Sequence, residues 1–201
     1  MHTHSYLALG DSYTIGETLP LYQSFPYQAV QQLRQKGHNF TAPEIVARTG
    51  WTTAELEQAM DGYPFLSKYD FVSLLIGVNN QYRGQEVMVY KQGFEELLKK
   101  AIALTNGKKE HVLVLSIPDY GVTPHAKDLD PEKIGREIEV LNSISKLISI
   151  QYKVNYVDIM PDSRLAADQP ELLAEDGLHP SAAAYAQWAQ LVTEAMAAQL
   201  K

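Results

Sequence analysis

The sequence predicts a three-layer α/β/α sandwich built on a parallel sheet of five strands. Five short apolar runs are rich in β-branched residues and lack strict alternation of polar and apolar positions, which is typical of strands buried on both faces. Longer amphipathic stretches separate these runs, so strands and helices alternate along the chain. Because crossovers between parallel strands are right-handed, we expect the helices to cover both faces of the sheet.

The predicted strands follow one another without an interruption that would mark a domain boundary. They occupy residues 6–9, 45–47, 71–76, 111–115 and 156–159. No linker, internal repeat or low-complexity segment divides them, and 201 residues are enough to enclose one hydrophobic core. We therefore expect the whole chain, residues 1–201, to form a single domain.

Segments with helical periodicity lie between the predicted strands and after the last one. The predicted helices span residues 25–33, 52–60, 87–105, 130–148 and 181–196. Gly37 follows the first helix and an Asn-Gly pair follows the third, as expected where helices end. Asp130 is a favourable N-cap and Pro131 fits the first turn, so the fourth helix has a well-defined start.

The charge balance argues against nucleic acid as a partner. The chain has 17 basic and 24 acidic residues, which gives a net charge of −7. Binding to a phosphate backbone requires a concentrated basic face, which this composition does not supply. We expect the partner to be a small molecule.

The composition also limits the chemistry and the location. Cysteine is absent, which excludes disulfides, thiolate metal sites and a cysteine nucleophile. No apolar run reaches the roughly 18 residues of a transmembrane helix. Residues 1–4 lack the basic and apolar regions of a signal peptide, so we expect a cytoplasmic protein, with the mature form of a secreted protein as the alternative.

A candidate nucleophile follows the first predicted strand directly. Gly10-Asp11-Ser12 places a hydroxyl at the carboxyl edge of the sheet, where reactive residues of parallel α/β folds gather. Gly10 permits a sharp exit from the strand. A hydroxyl is a weak nucleophile, however, and Ser12 requires a base within hydrogen-bonding reach.

A candidate base lies near the other end of the chain, just before the last helix. Asp176 and His179 are three positions apart, so one turn can bring the carboxylate to the imidazole. The carboxylate can accept from the Nδ1–H group and leave Nε2 to take the proton of Ser12. Histidine also titrates in the range that suits a general base. Among the other histidines, His125 alone also follows the carboxyl end of a strand.

Acyl transfer places negative charge on the carbonyl oxygen, and two segments can supply donors for it. Gly50 follows the second strand and lets its backbone N–H approach a substrate closely. Asn79 follows the third strand within Gly77-Val78-Asn79-Asn80 and can donate from its side-chain amide.

Four motifs follow one another along the chain: Gly10-Asp11-Ser12, Gly50, Gly77-Val78-Asn79 and Asp176-Gly177-Leu178-His179. Their order resembles that of the motifs of the SGNH hydrolases, also called GDSL esterases and lipases. The resemblance covers about residues 5–195 and implies a flavodoxin-like fold. It implies that Ser12 attacks the acyl carbonyl, that His179 acts first as base and then as acid, and that Asp176 orients the imidazole. It further implies an oxyanion hole made by the N–H groups of Ser12 and Gly50 and the side chain of Asn79. It implies no metal and no organic cofactor.

The sequence departs from the family pattern at two points. Tyr13 and Thr14 follow the nucleophile where leucine and serine are more usual. Asn80 replaces an aspartate that usually follows the oxyanion-hole asparagine, which places the local hydrogen-bond network in question.

The predicted activity is hydrolysis of acyl esters through an acyl-enzyme at Ser12. Carboxylesterase, lipase, thioesterase and lysophospholipase activities are all compatible with it, as is acyl transfer to an alcohol. One alternative is an acetylesterase acting on acetylated carbohydrates; another is an FMN-binding flavodoxin-like protein, because the loop after the first strand is rich in hydroxyls. The residues predicted to contact the substrate are Asp11, Asn80, Tyr82, Arg83, Tyr120 and Val122.

Overall fold

The computed structural model describes residues 2–200 and contains a parallel sheet of five strands in the order β2-β1-β3-β4-β5. The strands are β1 (Tyr6–Gly10), β2 (Glu44–Ala47), β3 (Phe71–Leu75), β4 (Val112–Leu115) and β5 (Asn155–Val157). Every residue of the three central strands is buried, which explains their continuous apolar pattern. The predicted fold class is confirmed, and the strand order is that of flavodoxin-like folds.

Helices cover both faces of the sheet. They are α1 (Ser12–Ile15), α2 (Phe25–Gln35), α3 (Thr53–Asp61), α4 (Val78–Tyr82), α5 (Val87–Leu104), α6 (Pro131–Tyr152), α7 (Met160–Arg164) and α8 (Ala182–Ala197). The five long helices lie where the periodicity predicts them. Helices α1, α4 and α7 are not predicted from the sequence, because helices of four or five residues are too short to show a hydrophobic period.

The direction of the crossovers assigns the long helices to two layers. The chain moves outward from β1 to β2 through α2, and then crosses back over β1 to reach β3 through α3. Since both crossovers are right-handed, α2 and α3 lie on opposite faces. Helix α8 packs against α2, whereas α5 packs against both α3 and α6, which completes the three layers.

The carboxyl ends of β1, β2 and β3 are level with one another. Gly10, the last residue of β1, pairs with Ala47 on one side and with Leu75 on the other. The loops that follow these strands therefore meet at one edge of the sheet. The chain leaves β1 and β3 in opposite directions, and such switch points are where ligands bind in open α/β sheets.

Only one strand boundary among the described residues differs from the prediction by more than one residue. The last strand ends at Val157 and not at residue 159, because the Ser116 hydroxyl donates to Asp158 and accepts from the N–H of Ile159, which draws this segment out of the sheet. No helix within residues 2–200 combines the length and the apolar character that crossing a bilayer requires.

Candidate active site

A pocket with a volume of about 220 Å³ opens at the carboxyl edge of the sheet. It is lined by Ser12, Tyr13, Thr49, Gly50, Val78, Asn79, Tyr82, Tyr120, His125, Leu178 and His179. These residues come from the segments that follow β1, β2, β3 and β4 and from the loop before α8. The structure therefore brings Ser12, Gly50, Asn79 and His179 to one cavity.

Ser12 is the first residue of α1, and the tight connection from β1 depends on Gly10. A Cβ atom on Gly10 would overlap the hydroxyl of Thr14 and the carbonyl oxygen of Leu75. Only glycine therefore lets the first turn of α1 pack directly against the end of β3. Asp11 caps this turn, since its Oδ1 accepts a hydrogen bond from the N–H of Tyr13 at 3.0 Å.

Asp11 is 1% exposed and lies outside the lining of the pocket, although its position after β1 predicts a contact with the substrate. Burial raises the pKa of its carboxyl to about 7, because removal from water penalises the charged form more than the hydrogen bond from Tyr13 stabilises it. The carboxyl caps the turn that presents Ser12 and is inaccessible to a bound ligand.

The raised pKa of Asp11 predicts a pH-dependent loss of stability. The folded chain binds this proton more tightly than the unfolded chain, whose carboxyl titrates near about pH 4. The stability that comes from this tighter proton binding is therefore fully present below about pH 4 and is lost as the pH rises through 7. We expect the difference in unfolding free energy between Asp11→Asn and the parent chain to grow in favour of the variant between about pH 4 and pH 8, by up to about 4 kcal/mol.

Urea unfolding at a series of pH values measures this difference. Asp168 is exposed, and Asp168→Asn provides a matched control. Its unfolding free energy plotted against pH should run parallel to that of the parent chain. Parallel curves for Asp11→Asn as well would show that the buried carboxyl does not titrate in this range.

His179 and Asp176 form a tightly bonded pair. The imidazole Nδ1–H donates to Asp176 Oδ2 at 2.6 Å, and the backbone N–H groups of Leu178 and His179 donate to Oδ1 at 3.0 and 2.9 Å. Burial alone would raise the pKa of Asp176, but the hydrogen bonds from the imidazole and the two N–H groups outweigh it and lower the pKa. The carboxylate therefore stays ionised, and Nε2 of the imidazole is left to accept a proton.

Ser12 and His179 line the same pocket, and the ring of Tyr13 packs against that of His179 at 5.2 Å. Within residues 2–200 no hydrogen bond joins the hydroxyl of Ser12 to His179. Nucleophile–base contacts are often long in unliganded enzymes and shorten when substrate binds. The structure thus shows the acid–imidazole contact and the pocket that Ser12 and His179 share.

Three of the residues that line the pocket, Ser12, Gly50 and Asn79, carry N–H groups that can act as donors. The backbone N–H groups of Ser12 and Gly50 donate to no other group among the described residues, so both can meet a ligand. Gly50 has a φ of +81°, a conformation that other residues adopt only under strain. The Asn79 amide donates one hydrogen to the carbonyl of Trp51 at 2.9 Å, which fixes its orientation and leaves its second hydrogen free.

Asn80 has a structural position next to Asn79. Its side chain is 1% exposed; it accepts from the N–H of Thr53 at 3.1 Å and donates to the Thr53 hydroxyl and to Gln85 Oε1. These bonds join the start of α3 to α4. Asn80 therefore lies behind the pocket lining and not in it, contrary to its predicted contact with substrate. An aspartate here could not donate both of the bonds that the amide donates.

The remaining predicted contacts divide into two groups. Tyr82 and Tyr120 line the pocket, with their ring centroids 6.1 Å apart and their planes at 64° to each other. Arg83 instead pairs with Glu55 at 3.1 Å and donates to the carbonyl of Gly50, so it supports the Gly50 loop from behind. Val122 packs against a small apolar cluster of Ala166, Leu172 and Ala184 and is not among the lining residues.

Five lining residues were absent from the predicted site: Tyr13, Thr49, Val78, His125 and Leu178. His125 could have been found, because it follows β4 as a pocket residue should. Its backbone N–H donates to the carbonyl of Gly177 at 3.3 Å, which ties this wall to the loop that carries Asp176 and His179. The other four carry no chemical signature in the sequence.

Comparison with known proteins gives one family and a common fold. A family model described as "GDSL-like Lipase/Acylhydrolase family" matches residues 8–187. No curated protein sequence matches the chain.

Among solved structures, TesA is 22% identical, with a TM-score of 0.74 over 98% of this chain and 99% of its own. A lipase/acylhydrolase from Enterococcus faecalis is 19% identical, with a TM-score of 0.77 over 99% and 98%. Axe2, an acetylxylan esterase from Geobacillus stearothermophilus, is 19% identical, with a TM-score of 0.72 over 96% and 94%. These similarities show that this chain and each of these neighbours share one fold over nearly their whole lengths.

Proposed function

This chain belongs to the GDSL-like Lipase/Acylhydrolase family and is a hydrolase acting on ester bonds, and from that premise we propose that it cleaves small uncharged acyl esters through an acyl-enzyme at Ser12. The family match confirms the resemblance found in the sequence. The observation that carries the proposal is the 2.6 Å bond between His179 and Asp176 beside a pocket that contains the hydroxyl of Ser12.

In the first half of the proposed reaction, the Oγ of Ser12 bonds to the acyl carbon while its proton passes to Nε2 of His179. The electron pair of the C=O bond moves to the oxygen, giving a tetrahedral intermediate. When the intermediate collapses, the bond to the leaving alcohol breaks and the alcohol takes the proton from His179. The ionised Asp176 stabilises the imidazolium that exists between these two transfers.

In the second half, water attacks the acyl-serine and gives its proton to His179. The ester bond to Ser12 then breaks, the acid leaves, and the proton returns to the Ser12 oxygen. The open side of the pocket admits the water. An alcohol in place of water would give acyl transfer by the same steps.

The oxyanion of both intermediates requires donors that are in place before the reaction. The N–H groups of Ser12 and Gly50 and the amide of Asn79 line one cavity with the nucleophile, which supports this role. Because the Asn79 amide is already held by the carbonyl of Trp51, it need not reorganise when the charge forms.

We expect Asn79→Ala to lower kcat about 10²–10³-fold with little change in KM, since the oxyanion exists mainly in the transition state. Asn80→Ala is the matched control: it removes a buried amide that bonds Thr53, so it should lower the unfolding free energy by about 1–3 kcal/mol and affect kcat less. Steady-state kinetics and urea unfolding of both variants separate the two effects. A change in KM alone for Asn79→Ala would contradict the assigned role.

The size and the charge of the pocket support a small neutral substrate. Its volume of about 220 Å³ is below the roughly 300–1,000 Å³ of sites for drug-sized ligands. No Asp, Glu, Lys or Arg is among the lining residues, so a charged substituent would enter without a partner. Val78, Leu178 and the rings of Tyr82 and Tyr120 supply apolar surface for a short acyl group.

A panel of p-nitrophenyl esters tests this substrate class. We expect kcat/KM to be highest for acetyl and butyryl esters and to fall about tenfold or more for dodecanoyl. The succinyl monoester has the chain length of the butyryl ester but adds a carboxylate, and it should also react about tenfold more slowly. A preference for long or charged acyl groups would contradict the proposal. Acetylated sugars and acyl thioesters in the same panel would identify the leaving group.

A further inference from the structure

A second cluster of reactive side chains lies at the opposite end of the sheet from the pocket. It consists of His2, His4 and Asp70, and one ligand atom of each lies within 4.8 Å of the other two. The histidines precede β1 and Asp70 precedes β3, and these two strands start level with each other. We propose that this cluster binds a divalent transition-metal ion, with Zn²⁺ as the ion that its ligands fit best.

The distances among the ligand atoms suit a tetrahedral ion. Nε2 of His2 lies 3.1 Å from Oδ1 of Asp70, and Nδ1 of His4 lies 4.0 Å from the same oxygen. Ligands about 2.0–2.2 Å from zinc at tetrahedral angles are about 3.3 Å from one another. Small side-chain movements are therefore enough to admit the ion, and His2, whose side chain is 62% exposed, is free to make them.

Asp70 is held so that one oxygen remains available. Its Oδ2 accepts from the N–H and the hydroxyl of Ser5 at 2.8 and 3.2 Å, which leaves Oδ1 facing the two histidines. The backbone carbonyl of Asp70 accepts from Nδ1–H of His111 at 2.6 Å, and that imidazole stacks on Phe71. Such supporting bonds are what orient metal-binding carboxylates.

His4 supplies an independent indication of a missing partner. Its backbone is fixed, because its N–H donates to Asn39 and its carbonyl accepts from Thr41. Its Nδ1 atom is buried, and within residues 2–200 it has no hydrogen-bond partner. A buried nitrogen left unpaired is costly, and a metal ion would satisfy it.

The donor set determines the class of ion and its role. Two imidazoles and one carboxylate suit Zn²⁺, Co²⁺ or Ni²⁺, whereas Ca²⁺ and Mg²⁺ prefer sites made of oxygen. The ion would fasten residues 2–5 to the start of β3, at the edge of the sheet remote from Ser12. It would therefore stabilise the fold and take no part in ester hydrolysis. This proposal departs from the expectation, drawn from the sequence, of a chain without metal.

The test is zinc binding to the chain prepared without a polyhistidine tag and stripped with EDTA. Calorimetric titration with ZnCl₂ should give one ion per chain, and zinc at about one hundred times Kd should raise Tm by about 5–10 °C. His4→Gln and Asp70→Asn should each weaken binding about tenfold or more. His2→Gln should do the same, and it keeps the test decisive if the other two variants fold poorly, because His2 is exposed.

His38→Gln is the matched control, since His38 lies at the same end of the molecule but contributes no atom to the cluster. It should bind zinc as tightly as the parent chain, and CaCl₂ should not raise Tm. The proposal is overturned if no saturable site is found, or if the three ligand variants bind zinc as well as His38→Gln does.

Discussion

Ser12→Ala should reduce kcat for p-nitrophenyl acetate about 10⁴-fold or more while leaving the fold intact. The substitution removes the only atom proposed to bond to the acyl carbon. The hydroxyl of Thr49, which also lines the pocket, donates instead to the carboxylate of Glu17. Loss of this oxygen leaves untouched the capping hydrogen bond that the N–H of Tyr13 donates to Asp11, so stability should change little. Mass spectrometry adds a direct readout: a phosphonate ester inhibitor should label the parent chain once, at Ser12, and should not label the variant.

Ser143→Ala is the control for this experiment. Ser143 lies on the exposed side of α6, where its hydroxyl bonds only to the carbonyl of Glu139. Its replacement should leave both kcat and inhibitor labelling unchanged. Substantial turnover by Ser12→Ala, or labelling at another residue, would remove the nucleophile from the proposed mechanism.

His179→Ala should cost kcat a factor of about 10⁴, because in the proposed mechanism the hydroxyl of Ser12 then has no base to take its proton. Asp176→Asn should cost about 10²–10⁴, since an amide neither favours the Nδ1–H tautomer nor stabilises the imidazolium. The Ser12→Ala/His179→Ala double variant should be no slower than either single variant, because the two side chains act as one unit. Steady-state kinetics on the same ester measures all of these.

The corresponding control is His38→Ala, which removes a histidine at the far end of the sheet and should retain full activity. Additive losses in the double variant would show that Ser12 and His179 act independently. Such a result would be incompatible with proton transfer between them, whatever the effect of each single substitution.

Much of this protein could be read from local sequence. Long helices and buried strands have hydrophobic periods that depend only on neighbouring residues, so the alternation, the parallel sheet and the five long helices were predictable. The ordered motifs around Ser12, Gly50, Asn79 and His179 indicated an ester hydrolase, and the family match supports this reading over an FMN-binding protein of the same strand order. The Asp176–His179 contact was also predictable, because the two residues are three positions apart within one turn.

Only the tertiary structure decided which loop residues face the pocket and which support it. Asn79 and Asn80 are adjacent and chemically identical, yet one lines the cavity and the other bonds Thr53 behind it, because the short helix α4 turns them to different sides. The cluster of His2, His4 and Asp70 likewise exists only because the register of β1 against β3 aligns segments that are distant in the chain. The hydrophobic periodicity of a segment specifies a helix or strand and its buried face. Contacts between these elements depend on strand order and register, and every packed residue contributes to both.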